Sequence, residues 1–109
     1  MNTYFFDTYA FHEVILGNSQ YKDLAQEVVI ITTKLNLMEL YYGLLCKYNK
    51  QTADKYYDFF KCCAVNITDA TIKEAMVFRM MHKKKKLSYI DCIGYIVAFE
   101  NGVKFTTGD

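Results

Sequence analysis

The spacing of apolar positions changes from segment to segment along this chain. Thr3-Tyr4-Phe5-Phe6-Asp7-Thr8 carries three consecutive aromatics and has no polar face. That is the pattern of a short strand buried on both sides of a parallel sheet. Tyr9 to Leu16 then reads as a short helix closed by Gly17-Asn18, a good left-handed stop. Tyr21 to Gln26 predicts a second short helix, and the β-branched run Val28 to Ile31 a second buried strand. Thr32-Thr33 opens a helix to about Lys47, with Leu37, Leu40, Tyr41, Leu44, Leu45 and Tyr48 at 3- and 4-residue spacing as its core stripe.

Thr52 is the predicted cap of a helix through Lys61, with Ala53, Tyr56, Tyr57 and Phe60 inward. Ala64 to Ile67 is a strand candidate. Thr68-Asp69 starts a helix from Ala70 to about His82, with Ile72, Ala75, Met76 and Met80 on its core face. Ser88 caps a last helix to Glu100, Asn101-Gly102 breaks it, and Val103 to Thr106 is the final strand. Strands alternating with helices predict one α/β domain over residues 1–109, a parallel sheet with helices on both faces.

Composition narrows the function classes. A formal net charge of +1 gives no global field to recruit a polyanion, so such binding must come from local patches. No apolar run approaches the roughly 20 residues needed to span a bilayer, and Met1-Asn2-Thr3 lacks the basic and apolar regions of a signal peptide. The expectation is a cytoplasmic protein with no membrane partner. The 4 cysteines, with Cys62 and Cys63 adjacent and Cys46 and Cys92 alone, lack zinc spacing. They read as buried reduced thiols.

The chemistry lies in the carboxylates. Asp7 follows the first strand, and in open α/β sheets ligands bind just beyond the carboxyl ends of the strands. Glu39 is two residues from Leu37, about 200° round the helix. It therefore leaves the core stripe and shares a face with Asn36 and Gly43. Asp91 lies three residues past Ser88, and Asp109 follows the last strand. Each has a bland alternative. Glu39 could be an exposed helix residue, Asp91 the partner of a capping box over Ser88 to Asp91, and Asp109 a turn residue after glycine. As a set they are harder to dismiss. Carboxylates about 5 Å apart repel by roughly 3 kcal/mol per pair at an effective dielectric of 20. Protons or cations must neutralise them, and hard oxygen ligands select Mg²⁺ or Mn²⁺.

Three stretches, YFFDTYAF, LNLMELYYG and LSYIDCIGYIVAFENGVKFTTGD, resemble the PIN-domain nucleases, in family order and over the length of the chain. The nearest likeness is to the VapC-type toxins of toxin–antitoxin pairs. The resemblance implies a three-layer α/β/α sandwich with the first strand near the middle of a parallel sheet. It also implies an acidic quartet, carried here by Asp7, Glu39, Asp91 and Asp109, that holds Mg²⁺ or Mn²⁺ and cleaves single-stranded or structured RNA. Thr8 and Thr107 match the polar residues beside the first and last acids. The expected partners are RNA, a small antitoxin and a second copy of the chain in a homodimer. Family members usually continue past Thr-Gly-Asp with a loop and a further edge strand, which is expected to be missing here.

Lys83, Lys84, Lys85 and Lys86 read either as a solvated run favoured by a helix C-terminus or as a phosphate-contacting ridge. Three functions stay open: a toxin ribonuclease, an RNA-processing nuclease without an antitoxin, and an inactive PIN-like module that binds RNA or protein. An Asp-x-Asp phosphatase is disfavoured, because Tyr9 stands where the second aspartate would be.

Overall fold

The aromatic run at the start of the chain forms strand β1 (Thr3–Phe6) in a computed structural model, which describes residues 1–106. With a side-chain period of two, adjacent residues of a strand face opposite sides of the sheet. Phe5 and Phe6 are both fully buried, and each belongs to a different core. Among the described residues, β1 is the middle of a three-stranded parallel sheet. Its neighbours are β2 (Val29–Ile31) and β3 (Lys104–Thr106).

Helices cover both faces. Phe6 packs with Ala10 and Phe11 of α1 (Thr8–Leu16), Leu37, Leu40 and Leu44 of α3 (Lys34–Lys47), and Ala53 and Phe60 of α4 (Lys50–Phe60). The short α2 (Ser19–Glu27) adds Tyr21, Leu24 and Ala25 to that side. Phe5 packs with Ala75 of α5 (Asp69–Met81) and with Cys92, Ile93, Val97 and Ala98 of α6 (Tyr89–Glu100). The molecule is the three-layer α/β/α sandwich, with β1 central as expected. Thr107, Asp109 and the expected absence of a further edge strand lie outside the described residues.

Helix starts follow side-chain chemistry. Asp7, Asn18, Thr33, Asn49, Thr68 and Ser88 each accept a backbone N–H of the first turn. Gly17 ends α1 with φ 84°, the left-handed geometry that its missing Cβ allows.

Several expectations need correction. Asn49, not Thr52, caps α4; the Asn49 Oδ1 accepts the Thr52 N–H at 2.8 Å, so Thr52 is three residues inside. Ala64 to Ile67 supplies a single parallel bridge, Thr32 to Ala64, rather than a strand. The inward face of α5 is rotated from the predicted one, with Thr71 and Ala75 buried while Ile72 and Met80 are 44% and 61% exposed. A polar Thr71 is tolerated there because its hydroxyl donates to Glu100 Oε1 at 2.8 Å. Leu45 and Tyr48 leave the α3 stripe for the surface. All four cysteines are free thiols, but only Cys92 is buried; Cys46 and Cys62 are exposed.

Gly94 brings α6 onto the sheet. A Cβ at that position would stand 3.1 Å from Phe5 and 3.2 Å from Phe105, whose rings stack at 5.2 Å. Replacing glycine by alanine in a helix gains on the order of 1 kcal/mol, while overpacking a tight core costs about 1–3 kcal/mol. The Phe5 ring is fully buried and cannot retreat. Gly94→Ala is therefore expected to lower the melting temperature by about 4–8 °C, the shift for a net loss of about 1 kcal/mol in a domain of this size. An unchanged or higher melting temperature would mean that the two rings can slide apart.

Candidate active site

Asp7 sits where β1 ends and α1 begins, only 8% exposed. Its Oδ1 accepts the Ala10 N–H at 2.8 Å, which caps α1 and fixes the carboxylate at the C-terminal rim of the sheet. The next residue joins this end of β1 to α3. Thr8 Oγ1 donates to Glu39 Oε1 at 2.7 Å and accepts from Asn36 Nδ2 at 3.3 Å. Buried Asn36 is held in turn by Thr33, whose hydroxyl donates to Asn36 Oδ1 at 2.6 Å. Thr32 Oγ1 also donates to the Phe6 carbonyl at 2.8 Å. Two side-chain links therefore fix the start of α3 against the end of β1, and with it the position of Glu39.

Asp91 meets its bland description and still faces the same space. It is N3 of a capping box, in which its backbone N–H donates to Ser88 Oγ at 3.0 Å and its Oδ2 accepts the Ser88 N–H at 3.4 Å. An open cleft of about 470 Å³ is lined by Asp7, Thr8, Tyr9, His12, Glu39, Tyr42, Gly43 and Asp91. Three of the four predicted acids thus line one cleft, with Thr8 beside them. Asp109 and Thr107 lie outside the described residues. Lys83, Lys84, Lys85 and Lys86 are exposed and do not line it. Lys83–Lys85 form a 3₁₀ turn after α5, beside a separate hollow with Met80, Met81 and His82.

The donor set suits a hard divalent cation in kind: carboxylates at one open rim. Among the described residues, no three His, Cys, Asp or Glu side chains stand close enough to hold a metal ion. A Mg²⁺ ion typically takes one or two carboxylates and keeps several waters, so an open set of acids fits it without a closed cage.

The sequence reading left Tyr9, His12, Tyr42 and Gly43 out of the site. A signal for two of them was present: residues four apart share a helix face. His12 is four residues past Thr8 on α1, and Gly43 is four past Glu39 on α3. Those pairs meet, because a Cβ at Gly43 would stand 2.9 Å from the His12 ring atoms Cε1 and Nε2. A mid-helix glycine costs on the order of 1 kcal/mol; here it makes room for a ring. The imidazole titrates below its ordinary value, first because burial disfavours the cation and then because Lys47 repels it, with Glu13 and Glu39 opposing.

Comparison with solved structures finds the same fold in toxins. VapC20 of Mycobacterium tuberculosis, described as cleaving the sarcin-ricin loop, superposes with a TM-score of 0.84 at 16% identity, over 97% of this chain and 89% of that one. VapBC2 of Rickettsia felis, bound to a DNA fragment from its promoter, gives a TM-score of 0.76 at 17% identity over 98% and 87%. A toxin–antitoxin complex from Klebsiella pneumoniae gives 0.75 at 18% over 96% and 85%. Comparison with curated proteins finds no match. The PIN domain model matches residues 4–109, which takes in all but the first residue of β1 and all four predicted acids, and the chain belongs to the PIN-domain family.

Proposed function

We propose that this protein is a metal-dependent endoribonuclease and the toxin of a toxin–antitoxin pair. The observation that carries the reading is the meeting of Asp7, Glu39 and Asp91 on one cleft at the end of the central strand of a PIN-family chain. Asp7, Glu39, Asp91 and Asp109 of the Thr-Gly-Asp motif would hold Mg²⁺ or Mn²⁺, one or two of them directly and the others through its waters. Such an ion supplies Lewis-acid charge to the scissile phosphate and makes water a nucleophile near neutral pH.

The chain's own groups do the rest. The Ala10 N–H holds Asp7, and Thr8 holds Glu39, so neither carboxylate must be ordered when substrate arrives. One carboxylate of the set accepts the proton of the attacking water. Without a cation, clustered carboxylates repel the phosphate as well as one another, so binding of RNA phosphate in the cleft requires the ion. The toxin–antitoxin neighbours support a small protein antitoxin as partner, and a homodimer belongs to the same reading. The test is incubation of purified protein with structured and single-stranded RNAs in Mn²⁺, with EDTA and with Asp7→Asn as controls. Cleavage is expected only in the first case; cleavage that persists in EDTA sinks the proposal.

Lys83 to Lys86 have a separate expectation. They stand exposed after the C-terminus of α5, where the helix dipole favours cations whether or not RNA binds. If they contact phosphates, replacing all four by Ser flattens the salt dependence of single-strand binding by up to about 3 units of slope, at about 0.7 per phosphate. An unchanged slope confines them to the helix end.

A further inference from the structure

We propose that the cleft carries a nucleobase subsite beside its acids, with the His12 imidazole as its floor and the Tyr42 ring as its wall. It would seat the base of a nucleotide adjoining the scissile phosphate. The inference rests on the nuclease reading and deepens it.

The acids and the rings are arranged in register. Thr8 meets Glu39 across α1 and α3, and one helical turn along both helices His12 meets Gly43. Four residues of helix rise about 6 Å, within the reach of a single nucleotide from phosphate to base. The cleft therefore has carboxylates at Asp7 and Glu39 and, one turn from the Thr8–Glu39 contact, the ring of His12, with Tyr42 also in its lining.

The His12 ring is seated against α3. It is half-buried and lies against the bare α-carbon of Gly43, where any other residue would displace it. Burial and Lys47 lower its affinity for a proton, against Glu13 and Glu39, and the imidazole is flat in either protonation state. Tyr42 is 69% exposed at the rim. Stacking on such rings suits any base, since every base has a π-face. Among the described residues no lysine or arginine lines the cleft, which leaves ring stacking as the grip this subsite would add to that of the metal.

The experiment is equilibrium binding of a short single-stranded RNA, with Ca²⁺ as the hard cation, beside RNAs of the same sequence made abasic at one position at a time. The wild-type protein is expected to lose on the order of tenfold in affinity when one particular base next to the cleavage site is removed. His12→Ala is expected to bind the intact RNA about tenfold more weakly and to show no further loss with the abasic one. Gly43→Ala should do the same while melting no lower than wild type, because it pushes the ring out of its seat yet favours the helix. His12→Phe should keep the discrimination. A wild type indifferent to base removal at every position overturns the subsite alone, as does full discrimination retained by His12→Ala or lost by His12→Phe. A wild type that binds neither RNA overturns the nuclease reading and the subsite with it.

Discussion

Asp7→Asn is expected to lower RNA cleavage by more than about 100-fold while leaving the melting temperature unchanged or slightly higher. Loss of groups that only support a metal ligand already costs about 10- to 100-fold, and Asp7 is placed as a ligand itself. The cap on α1 should survive, because Oδ1 accepts the Ala10 N–H at 2.8 Å. Asparagine caps a helix about as well as aspartate, and its amide oxygen can take the same bond. Removing one charge also relieves repulsion within the acidic set. Asp7→Ala separates the two roles. It should be as inactive as Asp7→Asn, yet lose about 0.5–2 kcal/mol with its cap, or several degrees of melting temperature. Thermal melts without metal, run beside an RNA cleavage assay on the three proteins, test this directly. If Asp7→Asn melts as low as Asp7→Ala, the charge itself is stabilising the fold. If it still cleaves at the wild-type rate, the chemistry lies elsewhere.

The order of elements and the central place of β1 were legible because the signals are local. Three aromatics in a row, a β-branched run, and capping residues before each helix act within a few positions of themselves. Asp7, Glu39 and Asp91 could be singled out for the same reason, as each stands at an element boundary or off a core stripe. What stayed hidden depends on pairs of elements. That Asn36 would be buried follows only from Thr8 arriving beside it on another helix. The predicted face of α5 held at Ala75 and Met76 but failed at Ile72 and Met80; Thr71 finds Glu100, 29 residues away, and so can turn inward in place of Ile72. The run Ala64 to Ile67 has the composition of a strand, but only Ala64 comes to lie beside Thr32. Nothing in the sequence around His12 sets it apart. It enters the site only because Gly43, on a different helix, leaves space for its ring.

Phe5→Ala is expected to be the most destabilising single change near the site, at about 3–5 kcal/mol. Whole domains are stable by roughly 5–15 kcal/mol, so the variant should melt more than about 12 °C lower. Phe5 is fully buried in the middle strand and pairs in register with Ile31 on one side and Phe105 on the other. Its ring stacks on Phe105 with an interplanar angle of 13° and lies under Gly94. The cavity left by truncation is hard to close, because the residue directly above it has no side chain to move in. That geometry predicts a change of sign. In the wild type, Gly94→Ala crowds two rings and destabilises. In the Phe5→Ala background the same methyl group enters vacated space, and it should stabilise by about 1 kcal/mol or more through helix propensity and filling. The two positions should therefore show a coupling of about 1–3 kcal/mol in a double-mutant cycle, read from the melting curves of the four proteins. Additive changes would mean that α6 has already sunk onto the sheet in Phe5→Ala, and that Gly94 does not set the spacing between that helix and the strand carrying Asp7.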